Sequence, residues 1–322
     1  MPSFSMKLKD ELVDIALNNE EEKAMLMGLM QINGSINLSS SGLYLEFRSK
    51  NLKVAKKVED LIKKFYNTEP LFKEEKELRL NKDNVYSVLI EQNATIPLLD
   101  LKIMAAKEDS TYNLKKELAK DNLRLSYIKG AFLACGSVND PKTLTYHMEI
   151  QTFNTLTAYN LRDLLNVYNL QAKVSKNRRG YIVYLKSADK IADFIRILGS
   201  SESLFYFEDY RIERDLSNSI NRVMNCEIAN EKKATTAAIR QMKEIETVKA
   251  YYKDRLPKSI KEAIVLREKN QDSTLQELSD KSEDEFNKTI SKSALNHRYR
   301  AIHKLYTEII EKREKYNGSK LN

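Results

Sequence analysis

Tyr127-Ile128-Lys129-Gly130-Ala131-Phe132-Leu133-Ala134-Cys135-Gly136-Ser137-Val138 reads as an apolar helix with small residues on one face, stopped by Gly136 and followed by a strand. The same shape occurs about a hundred residues earlier as Leu26-Met27-Gly28-Leu29-Met30-Gln31-Ile32-Asn33-Gly34-Ser35-Ile36, where Gly28 matches Gly130, Gly34-Ser35 matches Gly136-Ser137, and Ile36 matches Val138. Self-similarity at that period marks a duplicated domain. A Gly or Ala every three to four positions lets two helix backbones approach closely, so the two copies are expected to pack together across a pseudo-twofold axis. Gly34 and Gly136 are expected to end their helices at positive φ, which Gly adopts without strain.

Both segments resemble the LAGLIDADG helix of homing endonucleases, whose eighth residue is a metal-binding Asp or Glu. In this chain those positions hold Asn33 and Cys135. Two-metal hydrolysis needs carboxylates to hold hard cations, whereas Asn is neutral and Cys is a soft ligand unsuited to Mg²⁺. The expectation is a nuclease scaffold without catalytic residues, metal or cofactor.

Outward from the two helices, the pattern repeats. Residues 7–20 form an amphipathic stretch expected to lid the first repeat, with Leu8, Leu12, Ile15 and Ala16 on one face. Strands are expected over 35–38 and 43–48 around the turn at 39–42, and then over 71–80 and 84–90 after a helix over 52–65. A polar helical connection over 95–123 leads to the second copy, with strands over 146–152, 172–175 and 181–186 and helices over 155–168 and 188–198. The fold class is α+β: two pseudo-symmetric αββαββα repeats forming a saddle of antiparallel sheets, followed by an all-α domain.

Lys and Arg number 54 against 46 Asp and Glu, a formal charge of +8 that favours an anionic partner. Only Cys135 and Cys226 are present, the N-terminus shows no apolar signal core, and no apolar run approaches the roughly 18 to 20 residues that span a bilayer. A reducing, cytoplasmic setting without membrane contact is expected. His147, His297 and His303 are too dispersed for a metal cluster.

Past Gly199 the sequence turns helical. Ile212, Leu216, Ile220 and Val223 make one apolar stripe, and Arg214, Asn218, Asn221, Arg222 and Asn225 line another face as possible DNA or domain contacts. A helix over 233–252 ends at Leu256-Pro257. Further on, Thr274-Leu275-Gln276-Glu277 caps a short helix, and Ser291-Lys292-Ser293 opens a longer one, a helix-turn-helix signature. On the second helix Leu295, Ile302, Leu305 and Tyr299 are assigned inward. Ser291, Lys292, Ser293, Asn296, His297, Arg298, Arg300 and Lys304 are expected to point outward and bind DNA. No acid lies between Glu285 and Glu308, while that window holds Lys288, Lys292, Arg298, Arg300 and Lys304. Hydroxyls and an amide at the helix start suit base edges, and Asn can pair bidentately with adenine. The stretch 280–288 reads as an acidic connection longer than an ordinary turn of this motif.

Taken together, the chain resembles the WhiA family over nearly its whole length. The residues that carry the likeness are Gly130–Ala134 with Gly136-Ser137-Val138-Asn139-Asp140-Pro141, the strand 181–186, Asn221-Arg222, Asn225-Cys226 and Ala229-Asn230, and Ser291-Lys292-Ser293 with Asn296-His297-Arg298. The resemblance implies a degenerate LAGLIDADG domain tethered to a sigma-factor-like helix-turn-helix, binding double-stranded DNA at the nucleoid and acting in sporulation septation, cell division or chromosome segregation. The domain boundaries expected are 1–105 and 106–205 for the repeats, 206–252 for a helical linker and 253–322 for the helix-turn-helix domain. Two other readings stand beside this one. One is a live endonuclease or RNA maturase; the other is a repeat domain that docks a protein partner while the helix-turn-helix addresses DNA.

Overall fold

The computed structural model describes residues 2–40, 42–76 and 84–318, with side chains described as far as Glu314. By internal contacts the chain divides into two compact units, Met1–Asp215 and Leu216–Asn322.

The first unit begins with α1 (Phe4–Asp14) and contains the duplication. Its first copy runs α2 (Asn19–Asn33), β1 (Gly34–Ser39), β2 (Gly42–Ser49), α3 (Leu52–Tyr66), β3 (Leu71–Lys76), β4 (Asn84–Ile90) and α4 (Thr95–Asp100). Short helices α5 (Ile103–Glu108) and α6 (Leu114–Glu117) lead to the second copy: α7 (Asp121–Cys135), β5 (Gly136–Val138), β6 (Met148–Thr152), α8 (Thr155–Asn166), β7 (Lys173–Asn177), β8 (Gly180–Leu185) and α9 (Ala188–Leu198). Each copy builds one antiparallel sheet with the same order, β1-β2-β4-β3 and β5-β6-β8-β7. Gly34 pairs with Phe47 in one sheet as Gly136 pairs with Ile150 in the other. Period-2 patterning puts Leu45 and Phe47, and correspondingly Met148 and Ile150, into the core.

The two seam helices, α2 and α7, pack tightly against each other, and the glycines are the reason. A Cβ on Gly130 would lie 2.0 Å from the Met25 carbonyl oxygen, and one on Gly28 would lie 2.3 Å from that of Tyr127. Both obstacles are backbone, so neither can rotate away. Around this crossing the seam is buried, and its polar centre is asymmetric. Tyr127 Oη donates to Gln31 Oε1 at 2.8 Å, and Gln31 Nε2 donates to the Leu101 carbonyl at 2.8 Å. The terminal glycines do not take positive φ as the sequence suggested. Gly34 and Gly136 are extended, at φ −69° and −80°. They are small because a Cβ would meet the carbonyl oxygen four residues back, at 2.4 and 2.5 Å.

Helix α1 is shorter than the stretch 7–20. Asn18 already caps α2 in a reciprocal box with Glu21. Nor does α1 cover the first repeat alone: it lies against α3 of that copy and against α7 and β5 of the other. Ser5 Oγ accepts from Val138 N at 2.6 Å and donates to Val138 O at 2.8 Å. Helix α5 returns the exchange by packing on α2 and α8, with Thr157 Oγ1 donating to the Ala106 carbonyl.

Residues 206–252 belong to one long helix, α10 (Ser201–Tyr252). Its early turns bury Phe207 in the core of the first unit, and Ile245 and Val248 join the core of the second. The apolar stripe Ile212, Leu216, Ile220 and Val223 is more than half exposed at every position. After a turn of 3-10 helix (Lys253–Arg255) the second unit adds α11 (Lys258–Lys269), α12 (Leu275–Phe286) and α13 (Lys292–Gly318). Leu278, Ile290, Leu295, Tyr299 and Ile302 meet in its core. Beside them Arg267 is 2% exposed; its Nε donates to Gln241 Oε1 at 3.0 Å, its guanidinium lies 5.5 Å from the Tyr299 ring, and Nη1 donates to the carbonyls leading into α12. Acceptors at Nε and Nη1 and the ring beside the guanidinium offset the burial of that cation, as an interior charge requires.

Candidate nucleic-acid interface

Helices α12 and α13 form the helix-turn-helix. Thr274 and Glu277 cap α12 reciprocally. The helix runs to Phe286, well into the stretch 280–288 expected as a connection, so the acidic segment 280–286 is helix and the long connection disappears. Asn287 ends α12 in the left-handed region at φ 50°, which Asn tolerates better than most residues. Ser291 caps α13 by accepting from Ala294 N at 3.2 Å. Only Lys288-Thr289-Ile290 remains between the caps, an ordinary turn for this motif. Two buried serines pin it: Ser279 Oγ donates to the Ile290 carbonyl and Ser282 Oγ accepts from Ile290 N, each at 2.7 Å.

Opposite the buried side of α13, Lys292, Ser293, Asn296, His297, Arg300 and Lys304 are exposed. Arg298 is not among them. Its side chain is 18% exposed, and Nη1 donates to Glu262 Oε2 at 2.9 Å. Glu262 on α11, itself only 9% exposed at the side chain, also accepts from Lys288 Nζ in the turn at 2.9 Å. Lys288 first, and Arg298 with it, hold the Glu262 carboxyl below its usual range. Local sequence gives no sign of this triad, because Glu262 lies 26 and 36 residues from its partners.

On α10, Asn218, Asn221, Arg222 and Asn225 are exposed, and Arg222 Nε donates to the Asn218 carbonyl. Arg214 has a different role. It donates to the Thr143 and Leu144 carbonyls and lies 4.6 Å from the Tyr146 ring, strapping the β5–β6 loop to the helix within the first unit.

The seam ends, where an endonuclease holds its acids, carry different chemistry here. Asn33 Nδ2 donates to the Arg48 carbonyl at 2.6 Å. Lys107 Nζ donates to the Gly34 carbonyl at 2.6 Å, and burial lowers its pKa. At the other end burial pushes the Cys135 thiol up to about 11, leaving it neutral at pH 7, and lowers Lys9 to about 8. Lys9 Nζ lies 5.8 Å from the Phe132 ring. An amide, a neutral thiol and ammonium groups at helix C-termini do not fit Mg²⁺ or Mn²⁺. Among the described residues no three of His, Cys, Asp and Glu converge to hold a metal.

The sheets differ in charge. Arg48 on β2 pairs with Glu75 at 3.3 Å and with Glu46 at 3.9 Å. Strand β3 carries Lys73 and Lys76 with Glu74 and Glu75. Its counterpart β7 carries Lys173 and Lys176 with no acid; Arg178 and Arg179 follow in the turn, and Lys186 comes just past the end of β8. Arg79, near the end of the strand expected over 71–80, lies outside the described residues. Among the described residues no helix is long and apolar enough to cross a membrane.

Family comparison agrees with this layout. Residues 19–104 match the WhiA N-terminal LAGLIDADG-like domain, 124–218 the WhiA LAGLIDADG-like domain, and 220–306 the WhiA C-terminal HTH domain. A protein of Lysinibacillus sphaericus named "Probable cell division protein WhiA" is 37% identical over 320 residues, covering 98% of this chain and all of that one. The protein of the same name from Bacillus cytotoxicus is 39% identical over 314 residues, 96% of each chain. The crystal structure of full-length WhiA from Thermatoga maritima shares the fold, at TM-score 0.57 and 22% identity over 95% of this chain and 99% of that one. The chain belongs to the WhiA family.

Proposed function

We propose that the protein is a sequence-specific DNA-binding regulator of cell division, chromosome segregation or sporulation, working in the cytoplasm at the nucleoid on a scaffold that does not cut. One observation carries this reading: a turn pinned by Ser279 and Ser282 presents the start of α13 with Ser293, Asn296 and His297 exposed between Lys292, Arg300 and Lys304. Hydroxyl, amide and imidazole groups there suit base edges, and the flanking cations suit phosphates. Cell division is the role named for the relatives. The working division is repeats over 1–105 and 106–205, a helical linker over 206–252 and the DNA-binding domain over 253–322. The charge-balanced first sheet favours a protein partner on that copy, which is compatible with DNA addressing by α13.

The test starts from a genome-wide map of bound DNA, which supplies a cognate duplex, followed by salt titrations on cognate and scrambled sequences. Asn296→Ala is expected to cost about 1 to 3 kcal/mol at the cognate site and to relax discrimination. Lys304→Ala should weaken both duplexes alike and lower the salt slope by about one. An unchanged cognate-to-scrambled ratio in Asn296→Ala would move recognition elsewhere, with Asn218 to Asn225 on α10 the next candidate.

A further inference from the structure

The window around α13 holds five cations, yet two of them are already paired with an acid, Arg298 with its side chain 18% exposed and Lys288 with its own 50% exposed. Arg298 and Lys288 converge on Glu262, whose carboxylate is buried at the junction of α11, the turn and α13. The turn and α13 are fastened at other points as well. The turn already has its own fastenings in Ser279 and Ser282, Tyr299 Oη ties α13 to α11 by donating to the Ala263 carbonyl at 2.9 Å, and Ile290 and Leu295 fill the core. What Glu262 adds is charge. It reduces the local triad from +2 to +1 and draws both side chains toward α11.

We propose that Glu262 is a positioning residue that sets non-specific affinity, by withholding Lys288 and Arg298 from DNA phosphates. This rests on the reading of α13 as the DNA-binding helix. Each cation that meets a phosphate adds about 0.9 to the salt slope and strengthens binding to any sequence. A regulator that must search a genome of competing sites gains by keeping that sequence-independent term small. Neutralising Glu262 releases two cations onto the DNA side, so the effect appears on random DNA and grows as salt falls.

The experiment compares the full chain with Glu262→Gln, which keeps the side chain's shape and removes its charge, on a random-sequence duplex across a salt series. Circular dichroism and thermal melts establish that each variant is folded. The expected result is tighter binding of random duplex and a slope steeper by about two, with the gain abolished when Lys288→Gln and Arg298→Gln are added. A folded Glu262→Gln with an unchanged or shallower slope overturns the proposal. If Glu262→Gln does not fold, Lys288→Gln and Arg298→Gln in the otherwise wild-type chain decide it: the proposal requires that neither lowers the slope, and a drop of about one in either overturns it. Arg300→Ala separates this from failure of the DNA reading. If Arg300→Ala lowers the wild-type slope while Glu262→Gln leaves it unchanged, only the clamp is wrong; if neither changes it, α13 does not meet phosphate.

Discussion

The two repeats have one fold and two surfaces. Their strand orders are the same, their seam glycines coincide, and both follow the seam helix and hairpin with a helix capped by Asn, Asn51 in one and Asn154 in the other. Where they diverge, the fold does not constrain them. Strand β3 combines its lysines with Glu74 and Glu75, and Arg48 is held by Glu46 and Glu75, while β7 offers Lys173 and Lys176 with no acid in the strand. The polar pair inside the seam is equally one-sided: Gln31 and Tyr127 occupy positions whose repeat equivalents are Leu133 and Met25. A duplicated scaffold keeps what the packing demands and lets each copy's face take a separate role.

The sharpest way to break the shared part is at the crossing. Gly130→Val forces a branched side chain into a space where even a Cβ meets backbone at 2.0 Å. Overpacking a core costs about 1 to 3 kcal/mol where neighbours can move. Here the neighbour is the opposing helix, so about 3 kcal/mol or more is expected, read as a lowered urea midpoint for the full chain. Gly28→Val should behave alike, at 2.3 Å. A wild-type midpoint in either would mean that the seam is looser than its geometry indicates.

The divergent part is tested by charge. Lys173→Gln, Arg178→Gln and Arg179→Gln together should lower the low-salt affinity for random duplex and reduce the slope by about two to three, on the basis of about 0.9 per phosphate contact. Lys73→Gln with Lys76→Gln should change little, since Glu74 and Glu75 already balance that strand. Equal losses from the two sets would erase the distinction between the sheets. No loss from either would leave the repeat domain as a protein-docking surface.

The parts legible in the sequence are those written in local patterns. The glycine spacing gave the seam, alternation gave the strands, and Thr274 with Glu277 gave the start of α12. Interactions across long separations were not legible. Arg298 reads as outward because it is charged, but its spacing from Leu295 and Ile302 sets it beside the inward stripe of α13, where Glu262 arrives from α11 to pair with it. Helix α1 has an ordinary amphipathic face, and nothing in it indicates that the covered surface comes partly from the other repeat. The end of α12 was missed because Asp280, Glu283, Asp284 and Glu285 read as a solvated connection, whereas the left-handed Asn287 marks the true stop. Close approach explains the seam glycines as their spacing suggests, and it explains the terminal ones too, since their φ values are ordinary and it is space that excludes a Cβ there.

The smallest expected effect is on cleavage, where both copies are expected to give none. With Mg²⁺ or Mn²⁺, plasmid carrying the bound site should stay supercoiled in the presence of the wild type. Asn33→Asp combined with Cys135→Asp should not restore nicking, although it returns an acid to each seam end. The reason is the ammonium groups now placed there. Lys107 sits 2.6 Å from the Gly34 carbonyl, next to position 33, and Lys9 shares the low-dielectric surroundings of Cys135. An Asp at either position gains a lysine before it gains a metal, and a charge-assisted pair of that kind leaves too little negative charge to strip the hydration from Mg²⁺. Cleavage by the wild type that survives purification and disappears in Asn33→Ala would overturn this, and would make the two seam ends functional equals after all.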